Sequence, residues 1–112
     1  MARKLEKDQW QSYFERVSKA LGANVVEIAI VGPRLGAQRE TRGTTLTGVS
    51  YDPKGDLFAA IGEDLEHNIR HPREIYVDGE VEGLRSFEVV DAEAVRHIFT
   101  FKEVLRLAPP AR

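Results

Sequence analysis

The well-marked links between the apolar segments of this sequence are too short for the chain to cross over a sheet. A parallel strand pair needs a connection of about a dozen residues or more, whereas an antiparallel pair closes through about two to five. The clearest link is Asp52-Pro53-Lys54-Gly55-Asp56, between a segment ending at Tyr51 and one beginning at Leu57. Pro53 presets the dihedral of the first turn position, the Asp52 carboxylate can accept from the backbone ahead of it, and Gly55 supplies a left-handed position. Tyr51 and Leu57 therefore flank a hairpin, and the sheet that contains it is antiparallel.

Six segments read as strands, at about 24–31, 44–51, 57–61, 74–78, 84–90 and 95–102. Their inward faces follow from alternation: Val26, Ile28 and Ile30, then Ile75 and Val77, then Phe87 and Val89. Residues 34–43 are polar and glycine-bounded, and read either as a loop or as the ragged start of the next strand. Residues 62–72 interrupt the strands. Asp64 can cap a short helix there that carries Leu65 and Ile69 at i and i+4 and stops at Pro72. Before all of this lies one amphipathic helix, about 6–21, with Trp10, Tyr13, Phe14, Val17 and Leu21 on one face. Leu5 and Trp10 staple its start around Glu6, Gln9 sits in the capping-box position, and Gly22 is placed to end it. Val104, Leu105 and Leu107 add a last packed segment, and a disordered tail is expected from about 108.

One helix followed by short strands is an α+β pattern. The fold expected is an N-terminal amphipathic helix packed on a strongly bent or barrel-like antiparallel sheet of five to six short strands, all in a single domain spanning 1–112. Gly36, Gly43, Gly48 and Gly62 stand where bends or bulges are expected. Apolar residues on both faces of several strands mean that the sheet closes on itself or that a partner covers it.

Composition removes several chemistries. The absence of cysteine excludes disulfides, thiolate metal sites and thiol nucleophiles. With 16 Lys plus Arg against 18 Asp plus Glu, the chain lacks the basic footprint of a dedicated nucleic-acid binder. The charge is polarised, a net of +2 over residues 1–62 and −4 over 63–112, which suits salt-sensitive self-association. The first residues lack the apolar stretch of a secretory signal, and Ile28-Ala29-Ile30-Val31 is far too short to span a bilayer, so a cytoplasmic location is expected.

Candidate sites lie in two connections. His67 and His71, at i and i+4 beside Glu63, Asp64 and Glu66, could face one metal ion if the segment were helical. The pattern lacks the Glu that directly follows the first His in a zincin helix, so no metal site is assigned. Asp52 and Asp56 flank the turn, and Asp78, Glu80 and Glu82 form a second acidic cluster, but neither has the spacing of a calcium loop. No serine sits in a nucleophile elbow, and His97, the remaining histidine, lies within an expected strand. Gly32-Pro33-Arg34-Leu35-Gly36 lacks the further glycine and the helix of a dinucleotide loop, so no cofactor is assigned. Arg34, Arg39 and Arg42 form a small basic stretch, and Tyr76, Phe87, Phe99 and Phe101 could stack bases. The binding candidates are Asp52, Asp56, His67, His71 and Arg73; no catalytic residue is assigned.

Leu35-Gly36-Ala37-Gln38, Leu46 through Asp56, His67 through Asp78 and Ser86 through Ala92, together with the helix carrying Trp10 and Phe14, are similar to a family of small uncharacterised bacterial proteins, domain of unknown function 5335. The resemblance spans nearly the whole chain and implies no activity, cofactor or functional residue. Where that family usually turns on Asp-Ala-Asp-Gly, this chain has Asp91-Ala92-Glu93-Ala94, which weakens the case for a tight hairpin there. The leading functional reading is a non-enzymatic module working through protein–protein contact, as a homo-oligomer. The alternative is a small-barrel binder of single-stranded nucleic acid. The third reading is an enzyme with a site near the 52–56 turn and the 67–73 segment.

Overall fold

The computed structural model describes residues 2–34, 36–79 and 83–109, with the side chains of 36–42 outside the description. In chain order these form β1 (Ala2–Lys4), a 3-10 turn (Lys7–Gln9), α1 (Trp10–Ala20), β2 (Val25–Gly32), β3 (Gly36–Asp52), β4 (Leu57–Gly62), β5 (Leu65–Arg70), β6 (Glu74–Asp78), β7 (Leu84–Val90) and β8 (Arg96–Leu105). The strands make one antiparallel sheet in the order β1-β6-β7-β8-β2-β3-β4-β5.

The sequence signals start the 3-10 turn, which runs on into α1 at Trp10. Gln9 Oε1 accepts from the Glu6 backbone N–H at 3.3 Å, and Leu5 and Trp10 are both buried, with the indole N–H donating to the Leu5 carbonyl. Gly22 ends the helical segment at φ +57°, the left-handed conformation that glycine adopts without steric cost. The apolar face of α1 packs on β3, and Ser18 ties the two together: its hydroxyl both donates to the Val49 carbonyl and accepts from the Val49 N–H.

The sheet differs from expectation in strand number and closure. Among the described residues it has eight strands, not five to six, and it does not close into a barrel: β1 and β5 remain its edges. The strands beyond expectation are β1 and β5, and β3 begins earlier than 44. β1 is held by backbone pairing of Ala2–Lys4 with Asp78–Tyr76. The polar 36–43 stretch is the first part of the 17-residue β3, which pairs with β2 over its early length and with β4 over its later length. The expected short helix at 65–69 is a strand, because Leu65, His67 and Ile69 turn inward with a period of two. The last strand runs to Leu105, past the expected end at 102. The end of the chain, 110–112, lies outside the described residues, as do Glu80 and Glu82 and the side chains of Arg39 and Arg42.

Although open, the sheet curls until its faces meet. Register shifts supply the bend, with the extra residues on β3: between Thr44 and Arg39 where it pairs with β2, and between Leu46 and Gly48 where it pairs with β4. Phe58 of β4 then packs on Phe87 of β7 and Phe99 of β8, at ring-centroid distances of 5.8 and 5.9 Å. Phe14 of α1 enters the same cluster, 5.1 Å from both Phe58 and Phe87. The core is thus a run of aromatic rings between the helix and the fold of the sheet.

Candidate functional site

The aromatic core ends in a polar chain. Phe99 meets the His67 ring edge to face at 5.6 Å, and beyond it lie the imidazole of His97 and the carboxylate of Asp91. His67 Nε2 is 2.9 Å from His97 Nδ1, and His97 Nε2 is 2.9 Å from Asp91 Oδ2. Both histidines are among the buried residues, at 7% and 9% exposure. His67 comes from edge strand β5 and His97 from β8, so three strands separate them in the sheet and only the curl brings them together.

Local geometry fixes the proton positions. Asp91 opens the β7–β8 turn, and its Oδ1 accepts from the backbone N–H groups of Glu93 (2.9 Å) and Val95 (3.0 Å). Burial alone raises the Asp91 carboxyl, but the hydrogen bonds from His97 and from the Val95 and Glu93 amides outweigh it and hold it below the ordinary carboxylate value. An ionised carboxylate only accepts, so His97 donates through Nε2–H. In the neutral pair His97 Nδ1 is then the acceptor and His67 Nε2–H the donor. Two N–H groups cannot face each other at 2.9 Å, so the contact requires one of the two rings to present a lone pair.

A second cluster lies at the β3–β4 turn. Tyr51 donates its hydroxyl to Asp56 Oδ1 at 2.7 Å, His71 Nδ1 is 3.2 Å from Oδ2, and Lys7 Nζ is 3.9 Å from Oδ1. The hydrogen bond from Tyr51 leads the effects that hold the Asp56 carboxyl below its ordinary value, against a smaller opposing effect of burial. Burial, then the bond to Asp56, pushes the Tyr51 phenol up to about 12. The Tyr51 ring stands edge-on to Trp10 at 5.0 Å, so the cluster pins the start of α1 to the hairpin.

The turn and the 67–73 segment therefore converge through a single pair, Asp56 and His71. Asp52 stays with its own turn, its Oδ1 accepting from the Lys54 N–H at 3.0 Å. Arg73 is exposed, and its backbone N–H donates to the Val90 carbonyl. His67 and His71 do not face a common point: one is buried in the core and the other has a side chain 69% exposed. The physical reason is that the segment is a strand that ends before His71, which adopts φ +54°. Among the described residues no group of three or more His, Asp or Glu side chains is placed to hold a metal ion. Phe87, Phe99 and Phe101 are buried, which withholds their rings from stacking bases.

The residues that sequence reasoning missed are Asp91 and His97. The signal was the phase of His97, which alternates inward with Phe99 and Phe101. Two surface grooves, of about 270 Å³ beside β1 and α1 and about 430 Å³ over β2 and β8, include no member of either cluster in their walls. The relay can hold or pass a proton, but neither groove brings a substrate to it.

The model of a family of unknown function, DUF5335, matches residues 1–110. An uncharacterised protein from Aquifex aeolicus (strain VF5) is 41% identical over 104 residues, covering 92% of this chain and 94% of that protein. No solved structure matches. Among the described residues no helix is long and apolar enough to cross a membrane.

Proposed function

We propose that this chain, which belongs to the DUF5335 family, is a non-enzymatic module that works through protein–protein contact and associates with itself. One observation carries the reading: the curled sheet stays open and leaves the six-residue strand β5 as an edge with no strand against its outer side among the described residues. An edge of that kind offers unpaired backbone donors and acceptors to another chain. The polar clusters support the same reading, because both consist of groups bonded to one another rather than converging on a groove. Sedimentation equilibrium from micromolar to near-millimolar concentration tests it. The expected result is a reversible association, and a monomer throughout that range refutes it.

A further inference from the structure

We infer that the partner is a second copy of this chain, and that the two β5 strands pair antiparallel about a two-fold axis through Asn68. The inference rests on the self-association just proposed and names its surface and register.

The backbone of β5 sets which residues face outward. His71 N–H donates to the Asp56 carbonyl at 2.8 Å, in register with the β4–β5 ladder. Hydrogen-bonded and non-bonded pairs alternate along an antiparallel ladder. Ile69, His67 and Leu65 therefore bond to β4, while Glu66, Asn68 and Arg70 turn their N–H and C=O groups away from it. The side chains of these three residues are also exposed on the outer face.

The pattern is complementary to itself. A two-fold centred on Asn68 sets Asn68 opposite Asn68 and Glu66 opposite Arg70 at both ends, so every outward backbone group finds a partner and each carboxylate meets a guanidinium. Directly opposed opposite charges stabilise such pairs, and like charges destabilise them. Centring the axis on Glu66 or on Arg70 opposes like charges. Centring it on Ile69 brings Pro72, which has no N–H, into the ladder. Centring it on His67 carries the ladder into Asp64, which lies in the turn outside the strand. The strand's ends thus leave the Asn68 register as the one that uses all three outward residues.

The other edge does not compete. β1 has only three residues, and its Lys4 is engaged with Glu74 at 3.3 Å. Pairing β1 with β5 of another copy is heterologous and propagates, whereas β5 with β5 closes as a dimer. The dimer joins two sheets into one continuous sheet through the shared edge.

Charge exchange tests the register. Arg70→Glu opposes two carboxylates at each end and is expected to weaken the dimer about tenfold or more, and Glu66→Arg acts alike with opposite sign. The double variant Glu66→Arg/Arg70→Glu restores both pairs and is expected to return the dissociation constant to within about threefold of the original. Asn68→Pro removes the central outward N–H without touching a bond to β4, so it gives a monomer with an unchanged circular dichroism spectrum. A dimer whose affinity none of these variants moves overturns the register and leaves self-association standing. Oligomers that lengthen with concentration overturn the closed pairing in favour of β1–β5 contact. A wild-type monomer overturns both this inference and the proposed function.

Discussion

Truncating Asp91 exposes what the buried relay contributes to stability. Its carboxylate accepts from the Glu93 and Val95 amides and from His97. In Asp91→Ala the two amides lie at a turn and can reach water, costing about 1 kcal/mol between them, whereas His97 Nε2–H is left inside the protein at about 2–3 kcal/mol. The total, about 3–4 kcal/mol, lowers the midpoint of a chain this size by about 15–20 °C. Asp91→Asn separates the parts. Its oxygen keeps the two amides, so its NH₂ must face His97, which can accept only by moving its own proton to Nδ1. The variant is expected to cost less than Asp91→Ala and to switch His97 from the Nε2–H to the Nδ1–H tautomer, read from imidazole nitrogen shifts. The pH dependence follows from the lowered Asp91 pKa. A carboxylate with a depressed folded value contributes stability above its unfolded value of about 3.9, and that contribution is lost as pH falls through the folded value. The gap between wild type and Asp91→Asn should therefore be wide at neutral pH and narrow once the pH has fallen below both the unfolded and the lowered folded value. Thermal melts at the two pH values measure it. A cost for Asp91→Ala under about 1 kcal/mol, or an unchanged His97 tautomer in Asp91→Asn, would refute the relay as drawn.

Two further predictions rest on single contacts. Ultraviolet titration should find the Tyr51 phenol ionising at about 12, and Asp56→Asn should lower that value by removing the adjacent negative charge. Because the folded value is raised, this interaction stabilises fully below the ordinary tyrosine pKa, and the contribution is lost as pH rises through the folded value; a Tyr51 titration unmoved by Asp56→Asn counts against the assignment. Ala94 holds φ +66° in the β7–β8 turn, so Ala94→Gly should raise stability by about 0.5–1.5 kcal/mol in urea denaturation, and a loss of stability would show the turn to be misassigned.

The same turn shows what a sequence can and cannot display. Lacking the usual glycine, Asp91-Ala92-Glu93-Ala94 reads as a poor hairpin, yet β7 and β8 pair across it with Val90 opposite Arg96. The Asp91 carboxylate organises the loop amides and Ala94 accepts the left-handed conformation, so the turn compensates within its own residues for the missing glycine. The strands with strong alternation, Glu74–Asp78 and Leu84–Val90, were legible to the residue. β1 and the start of β3 were not, because neighbouring strands hold them by backbone bonds that leave no apolar pattern. In β5, Leu65 and Ile69 satisfy both a helical and an extended spacing over six residues, and only the inward turn of His67 decides between them. Of the candidate site residues, Asp56 and His71 were legible individually as turn and connection residues. Their contact, and that of His67 with His97, depends on hairpin register and sheet curvature, which no local window contains.

The choice of histidine at position 67 follows from where β5 lies. An edge strand is hydrogen-bonded on one side only, so its register must be secured by its side chains. A leucine at 67 would fill the space beside Phe99 but would leave His97 Nδ1 without its donor. Slipping β5 by one residue would replace His67 and Ile69 with Glu66 and Asn68, or with Asn68 and Arg70, on a face lined by Phe58 and Phe99. The directional bond from His67 to His97 adds a penalty for misalignment that apolar packing alone does not supply. The carboxylate of Asp91 extends that constraint to the β7–β8 turn, so one chain of hydrogen bonds fixes the edge strand against the far side of the curled sheet. That fixed register also determines that Glu66, Asn68 and Arg70, rather than their neighbours, face outward. The buried relay and the proposed dimer edge are therefore two consequences of the same alternation along β5.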